Sequence, residues 1–575
     1  ALLSDQLQAL TSVQLRALTS VQIAALETDA LNILAADQIS QLTTAQIEAL
    51  TATQVAALDT DSLSALTTQQ VRAIQTRDLA SIDSVDMAAL TTAQVAALTT
   101  AQLRALGTDD IGGISTAGMA GMSSAQLAAL STAQIVALGT DQAQALGTAQ
   151  LRGLGTHQLA ALATDDLVAM STAQLAALTS VQLAALTATQ LDALASDALG
   201  ALSATQMRGI TSTALNALDS TDLAALSSAQ LGALSSSQLA GLATDALVGL
   251  SSQALVGLTT AQVAGLVSNQ LGALSSDQWQ ALGSAQLRAL ATRALRDLGT
   301  DDLNGPTSSQ FASLTTGQIA ALTSSQLGAL QTEDLAALGT SQIRAIESRD
   351  FAGMDSADLG ALTSAQVAAL TTEQLRGIGS DDLAGLSSAG ISGLAAGQIA
   401  SLTSNQLGAL GSEDWQALSS TQLRGLTTAQ VAAMSTDDLD ALTTDQIPTL
   451  ATAQIAALST ELAASLGTDA LAALTTAQVR ALESRDLAAL DSADLAAFTS
   501  TQLAGLTSNQ LPGLETDALP GLGADAIPGL SAGQLNGLTS SQLGALGSDQ
   551  LRALTTAQVA GLGTAQLSRL GTEDL

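Results

Sequence analysis

The chain has 575 residues, a formal net charge of -34 and no cysteine, and all of its 17 basic residues are arginine. This acidic balance argues against binding to nucleic acid or to an anionic membrane surface, because both require basic patches. The missing thiols exclude disulfides and thiolate metal sites, and no run of 18 apolar residues predicts membrane insertion.

An eight-residue unit repeats along the chain. The type octad is Thr91 to Leu98, TTAQVAAL, with positions a to h, and its phase holds without insertion or deletion from Leu10 to Leu570, both at h. Such strict phase indicates that each octad occupies an equivalent place in a stack. Every Met, Phe and Trp lies at e or h, which predicts that these positions form the core. Position g is almost always Ala or Gly, which predicts close backbone packing, and the variable positions a, c and f are expected to face solvent.

Each octad must contain a break, because a continuous helix would rotate its apolar stripe by about 80° per octad. Ser or Thr at b is interpreted as the helix N-cap, and Gly at a, as in Gly107 and Gly139, as a left-handed residue after the helix. We therefore predict an all-α solenoid of very short helices, one per octad. A β-solenoid is the alternative, although β-branched residues are scarce at h.

Proline occupies position f in four octads, where it would remove one of the few hydrogen bonds within the helix. These octads are predicted to be 3₁₀-like or to end early. The residues are Pro448, Pro512, Pro520 and Pro528.

A longer period of 136 residues, or 17 octads, lies over the octads. Arg72, Arg208, Arg344 and Arg480 begin similar segments at this spacing, and Trp279 and Trp415 also obey it. We interpret residues 1–575 as one continuous solenoid with super-repeats at about 3–138, 139–274, 275–410 and 411–546, and a partial copy at 547–575. The period reflects either duplication alone or surface features that recur after a set number of superhelical turns.

No catalytic constellation is predicted. His157 is the only histidine and lies at the exposed position c, and the usual nucleophile–base pairs are absent. Adjacent aspartates are interpreted as helix caps. The alternative is calcium, for which the candidate ligands are Asp301, Asp302, Asp381 and Asp382. Otherwise no cofactor and no enzyme activity are expected.

Charged segments at the 136-residue spacing are candidate contacts between neighbouring solenoids, and local surface ion pairs are the alternative interpretation. The candidate residues are Arg72, Arg77, Asp78, Arg344, Arg349, Asp350, Arg480, Arg485 and Asp486. Neither end carries an atypical capping repeat, so we expect an array that continues or is covered by neighbouring subunits.

The octads TTAQVAAL, STAQIVAL and TTAQLRAL resemble arrays in very large, secreted, adhesin-like repetitive proteins of Gram-negative bacteria. This resemblance implies export, a location outside the cell or at its surface, and a structural or adhesive role. The predicted function is a self-assembling fibre of a sheath, surface layer or biofilm matrix, with the chain itself as partner. A spacer stalk of a giant adhesin is the alternative, and an ice-binding solenoid is a minor one.

Overall fold

A short helix forms in every octad of the computed structural model, which describes residues 4–568. Each α-helix there has four to six residues, begins at position b and ends at e, f or g, as in Thr92–Ala97, Thr100–Ala105 and Thr260–Val263. Successive helices therefore begin every eight residues from Ser4 to Thr564, apart from six octads that form 3₁₀-helices. Residues 4–568 contain no strand. The predicted all-α solenoid of short helices is confirmed, and the β-solenoid alternative is wrong.

The helix caps lie one residue earlier than the sequence interpretation placed them. Thr91, at position a, is the N-cap, with φ -67° and ψ 159°, and its side chain accepts a hydrogen bond from the Gln94 amide. Position b is the first helical residue. Gly107 is likewise an N-cap in extended conformation, and no described residue has a positive φ. The prediction of a left-handed glycine at position a was wrong. The chain changes direction at the leucine at h, which is extended, as at Leu98 with ψ 138°, so no left-handed residue is needed.

Positions e and h form the core as predicted. Leu103 at e and Leu106 at h are buried, and Trp279, Trp415 and Phe311 are among the largest fully buried side chains. Full burial of such a side chain stabilises the fold by about 1.5–3 kcal/mol. Position d is buried as well and usually carries Gln, whereas a, c and f are mostly exposed.

Each coil of the solenoid contains between three and four octads. Helix Thr92–Ala97 packs against Thr116–Gly121, three octads further on, and the same offset recurs along both halves of the chain. Side-chain hydrogen bonds from position d reach back four octads, from Gln94 to Leu63 and Leu66. An octad therefore lies between the third and fourth octads of the neighbouring coil.

Small residues at g permit this close stacking. A Cβ atom added to Gly249 would lie 1.8 Å from the backbone oxygen of Ser220, and one added to Gly113 would lie 2.3 Å from that of Ser84. Both partners stand at position b three octads earlier. The prediction of close backbone approach at g is confirmed.

Proline at f converts the octad to a 3₁₀-helix, as the sequence predicts. In Leu519–Gly521, Gly521 donates to the Ala518 carbonyl, a bond that does not use the missing proline N–H. The octad with Asp301–Asn304 instead has Pro306 at h, which cannot donate to the carbonyl at e as other residues at h do. Ser348–Gly353 contains no proline, and nothing in its sequence explains its form. The remaining 3₁₀-helices are Ile447–Thr449, Leu511–Gly513 and Ile527–Gly529.

The chain divides into two compact units, one ending at Ala294 and the other beginning at Leu295. Each unit is built from the same stacked octads. The boundary lies within the predicted super-repeat 275–410, and the first three and last seven residues of the predicted array lie outside the described residues. Among the described helices, none is long and apolar enough to cross a membrane.

Candidate functional site

A buried glutamine at position d joins each coil to the one before it. In Gln102, Oε1 accepts a hydrogen bond from the Thr99 amide at 2.8 Å and another from the Thr99 hydroxyl at 3.0 Å. Its Nε2 donates to the carbonyls of Val71 at 2.9 Å and Ile74 at 2.8 Å, which lie at e and h four octads earlier. We call this arrangement the glutamine bridge.

The glutamine bridge satisfies the backbone groups that a short helix leaves without partners. Every helix begins with free N–H groups and ends with free carbonyls, and four-residue helices consist almost wholly of such ends. One amide side chain satisfies the start of its own helix and the end of another. The same bonds span 31 and 28 residues in both units, for example from Gln134, Gln262, Gln374 and Gln502.

The sequence interpretation did not assign this role to position d. The available signal was the pattern Ser/Thr-x-x-Gln from a to d, which matches a capping box. The capping box predicts the bond within one helix. The bonds to the preceding coil depend on which octads are neighbours in space, and the octad pattern does not contain that information.

Aspartate at d supplies only half of the bridge. Asp486 is fully buried, and its carboxylate accepts from the Glu483 amide at 3.1 Å and from the Thr460 hydroxyl at 3.2 Å. An ionised carboxylate has no donor for the carbonyls four octads earlier. One oxygen of Asp166 and one of Asp78 are buried and accept no hydrogen bond.

Burial raises the pKa of several aspartates at d above the usual value of 3.8, because desolvation disfavours the ionised form. For Asp166, the Thr140 hydroxyl lowers the pKa, and the charge of Asp165 raises it further. For Asp350, the Arg349 guanidinium opposes the rise, and Glu347 adds to it. The other residues of this kind are Asp86, Asp222, Asp334 and Asp358.

The predicted lateral contacts divide into exposed arginines and buried carboxylates. Asp78, Asp350 and Asp486 stand at d and are buried, so they contact their own chain. The exposed arginines beside them form local ion pairs, with Nε of Arg77 3.4 Å from Asp78 and Nε of Arg485 3.0 Å from Glu483. Arg349 pairs with Glu347 and Asp350 in the same way.

Arginine at f also bonds to the next coil. The Nε of Arg72 donates to the Ala97 carbonyl at 3.2 Å, and that of Arg480 donates to the Gly505 carbonyl at 3.1 Å, both 25 residues further on. The side chains nevertheless remain exposed, as does that of Arg344 in the equivalent position. This bond fixes the guanidinium on the surface.

The calcium candidates are not gathered into a site. Asp301 and Asp381 are exposed, and one oxygen of Asp302 accepts from the Gly299 amide at 3.0 Å, as a helix cap does. Asp382 lies in the first turn of its own short helix. Within residues 4–568, no three His, Cys, Asp or Glu side chains are grouped closely enough to hold a metal ion. His157 is exposed, as predicted.

These features define a helical solenoid built from octads. The chain belongs to the ALTTAQ repeat family, whose model matches more than half of its length. A single match spans more than one coil, enough to contain a d-position glutamine and its acceptors. The matched residues are 23–60, 79–116, 103–140, 111–148, 159–196, 215–252, 280–316, 343–378, 375–412, 408–444, 431–468, 479–516 and 544–575.

No curated protein sequence matches the chain. Among solved structures, APUM23-GGAAUUGACGG is 12% identical and covers 81% of this chain and 90% of that chain, with a TM-score of 0.14. The Rif1 N-terminal domain from Saccharomyces cerevisiae is 11% identical and covers 97% of this chain and 66% of that chain, with a TM-score of 0.17. TM-scores this low carry no argument about fold or function.

Proposed function

We propose that the protein is an extracellular structural protein that self-assembles into fibres of a sheath, surface layer or biofilm matrix. The glutamine bridge is the observation that carries this proposal. It repeats along both units and joins coil to coil through bonds such as those from Gln102 and Gln374. Each coil holds between three and four octads, so pulling two adjacent coils apart would break several bridges together, as suits a load-bearing element.

The exposed positions support the same role. They carry mainly Ser, Thr, Ala and Asp, and only 12% of all residues are charged. Such a surface repels copies of itself weakly for its size and permits lateral contact. No part of this role requires a catalytic group or a resident cofactor.

Electron microscopy of the purified 575-residue chain, with and without calcium, tests the proposal. Ordered filaments without another protein are the expected result. Filaments that require calcium would instead assign a role to the aspartate pairs, such as Asp301 and Asp302. Single unassociated particles under both conditions would contradict self-assembly and favour a spacer stalk.

A further inference from the structure

The 136-residue period fits the geometry of the coil. Seventeen octads return to the same face only if they complete a whole number of coils. Each coil holds between three and four octads, as the contacts of Gln94 and helix Thr92–Ala97 require. Five is the only whole number that satisfies this condition, which gives about 3.4 octads, or about 27 residues, per coil. At this coil length, residues 136 apart share a face within each unit.

This coil length places arginine on one side of each unit. When positions are counted within successive coils of about 27 residues, Arg16, Arg72 and Arg104 occupy about the 16th, 18th and 22nd position of their coils. Every arginine up to residue 294 lies in this third of the coil, which we call the arginine face. In the second unit, the described arginines also lie within one third of the coil, with Arg552 as the exception.

Acidic residues occupy the opposite side, which we call the acidic face. Counted in the same way, Asp29 and Asp61 occupy about the second and seventh positions of their coils, and Asp109 lies where a new coil begins. In the first unit only Glu48 and Asp78 lie outside this face. In the second unit the described exceptions are Asp297, Glu347, Asp350, Glu373, Glu461, Glu483, Asp486 and Glu515. Four of them, Glu347, Asp350, Glu483 and Asp486, belong to the segments around Arg349 and Arg485.

Charges interact across coils on the acidic face. Asp110, three octads further on, helps to raise the pKa of Asp86, and Asp192 acts on Asp222 in the same way. Like charges on this face are thus stacked across neighbouring coils. The two faces are separated by about half a coil, so neither neutralises the other.

Three exposed arginines at position f show how the arginine face is presented. Arg104, Arg152 and Arg208 each use Nε to bond a carbonyl of the next coil, at 3.0, 3.0 and 3.1 Å. None of the three forms an ion pair with the described chain, and all are exposed. Their remaining N–H groups are therefore held outward in a fixed geometry, which suits binding of carboxylates.

We propose that the arginine face of one copy of this chain binds the acidic face of a second copy. Both faces repeat every 136 residues, so the pairing stays in register within each unit. The two surfaces differ, so each copy keeps one free face and the pair retains one face of each kind. Such a heterologous contact does not close, and it extends into a sheet or bundle. This inference rests on the proposed structural function and names its lateral contact.

Two triple variants test the pairing in the full-length protein. One replaces Arg72, Arg152 and Arg208 with Gln, and the other replaces Asp61, Asp109 and Asp197 with Asn. We expect wild-type protein to associate laterally at about 20 mM salt and to separate at about 0.5 M, because the Debye length shrinks. Both variants should associate laterally less than wild type in light scattering and electron microscopy, with unchanged circular dichroism, because the first unit has lost one face. Mixed in equal amounts, they should regain association, because each retains the face of the first unit that the other lacks.

The aspartate variant separates this pairing from general charge repulsion. It reduces the net negative charge, so simple repulsion predicts more association, whereas face pairing predicts less. Increased association of this variant, or wild-type association by the arginine variant, would overturn the pairing and leave the fibre function standing. Wild-type chains that form single end-to-end filaments without lateral contacts would do the same. Wild-type chains that never associate would contradict both proposals.

Discussion

Removing one glutamine bridge tests the central feature of the structure. Gln102→Ala deprives the Thr99 amide and the carbonyls of Val71 and Ile74 of their side-chain partner. Each unsatisfied buried group costs about 1–3 kcal/mol, and water that enters the space recovers part of this loss. We expect the local opening free energy to fall by about 3 kcal/mol. The fold should persist, because Ala254 shows that alanine fits at d.

Hydrogen exchange with mass spectrometry on the full chain measures this effect. A loss of about 3 kcal/mol accelerates exchange roughly 100-fold where local opening governs it. The effect should be confined to the octads around Thr99 and those around Val71, since coils contact only their neighbours. Gln144→Ala is the matched control, because Gln144 is exposed at position f. Equal protection in the two variants would refute the reasoning that the bridge holds adjacent coils together.

Three further substitutions test separate parts of the structure. Gly249→Ala should destabilise the first unit by about 1–3 kcal/mol in urea unfolding, because its Cβ would meet a backbone oxygen, whereas Gly139→Ala, with nothing within 4 Å, should not. The pKa of Asp166 is raised, so its contribution to the free energy of unfolding is largest below pH 3.8 and is lost as pH rises through the folded-state pKa. Asp166→Asn should therefore stabilise the protein at pH 7 but not at pH 3.5, and a destabilised variant at pH 7 would contradict this sign. Ala96→Pro should lower the free energy of unfolding by less than the ~3 kcal/mol that proline costs inside a long helix, because the octad can become a 3₁₀-helix. A loss of helical circular dichroism larger than one octad can account for would contradict this expectation.

The sequence determined the local features of this protein. Its strict eight-residue phase specified one short helix per octad, and confinement of large apolar residues to e and h identified the core. Pro520 and its equivalents predicted the 3₁₀ octads, because proline removes a hydrogen bond wherever the octad lies. The N-cap was misplaced by one residue, since Ser and Thr are common at both a and b and either can cap.

Only the tertiary structure decided which octads meet. The second role of Gln102 depends on carbonyls 28 and 31 residues earlier, and these become neighbours only when the number of octads per coil is known. That number is set by the packing of e and h side chains and by backbone contact at g, none of which changes the octad pattern. The 136-residue period is visible in the sequence. Assigning its charged residues to faces of the solenoid also requires knowing that each coil holds between three and four octads. Hydrogen bonds within an octad thus follow from the order of its residues. The glutamine bridges and the charged faces depend on the number of octads in each coil.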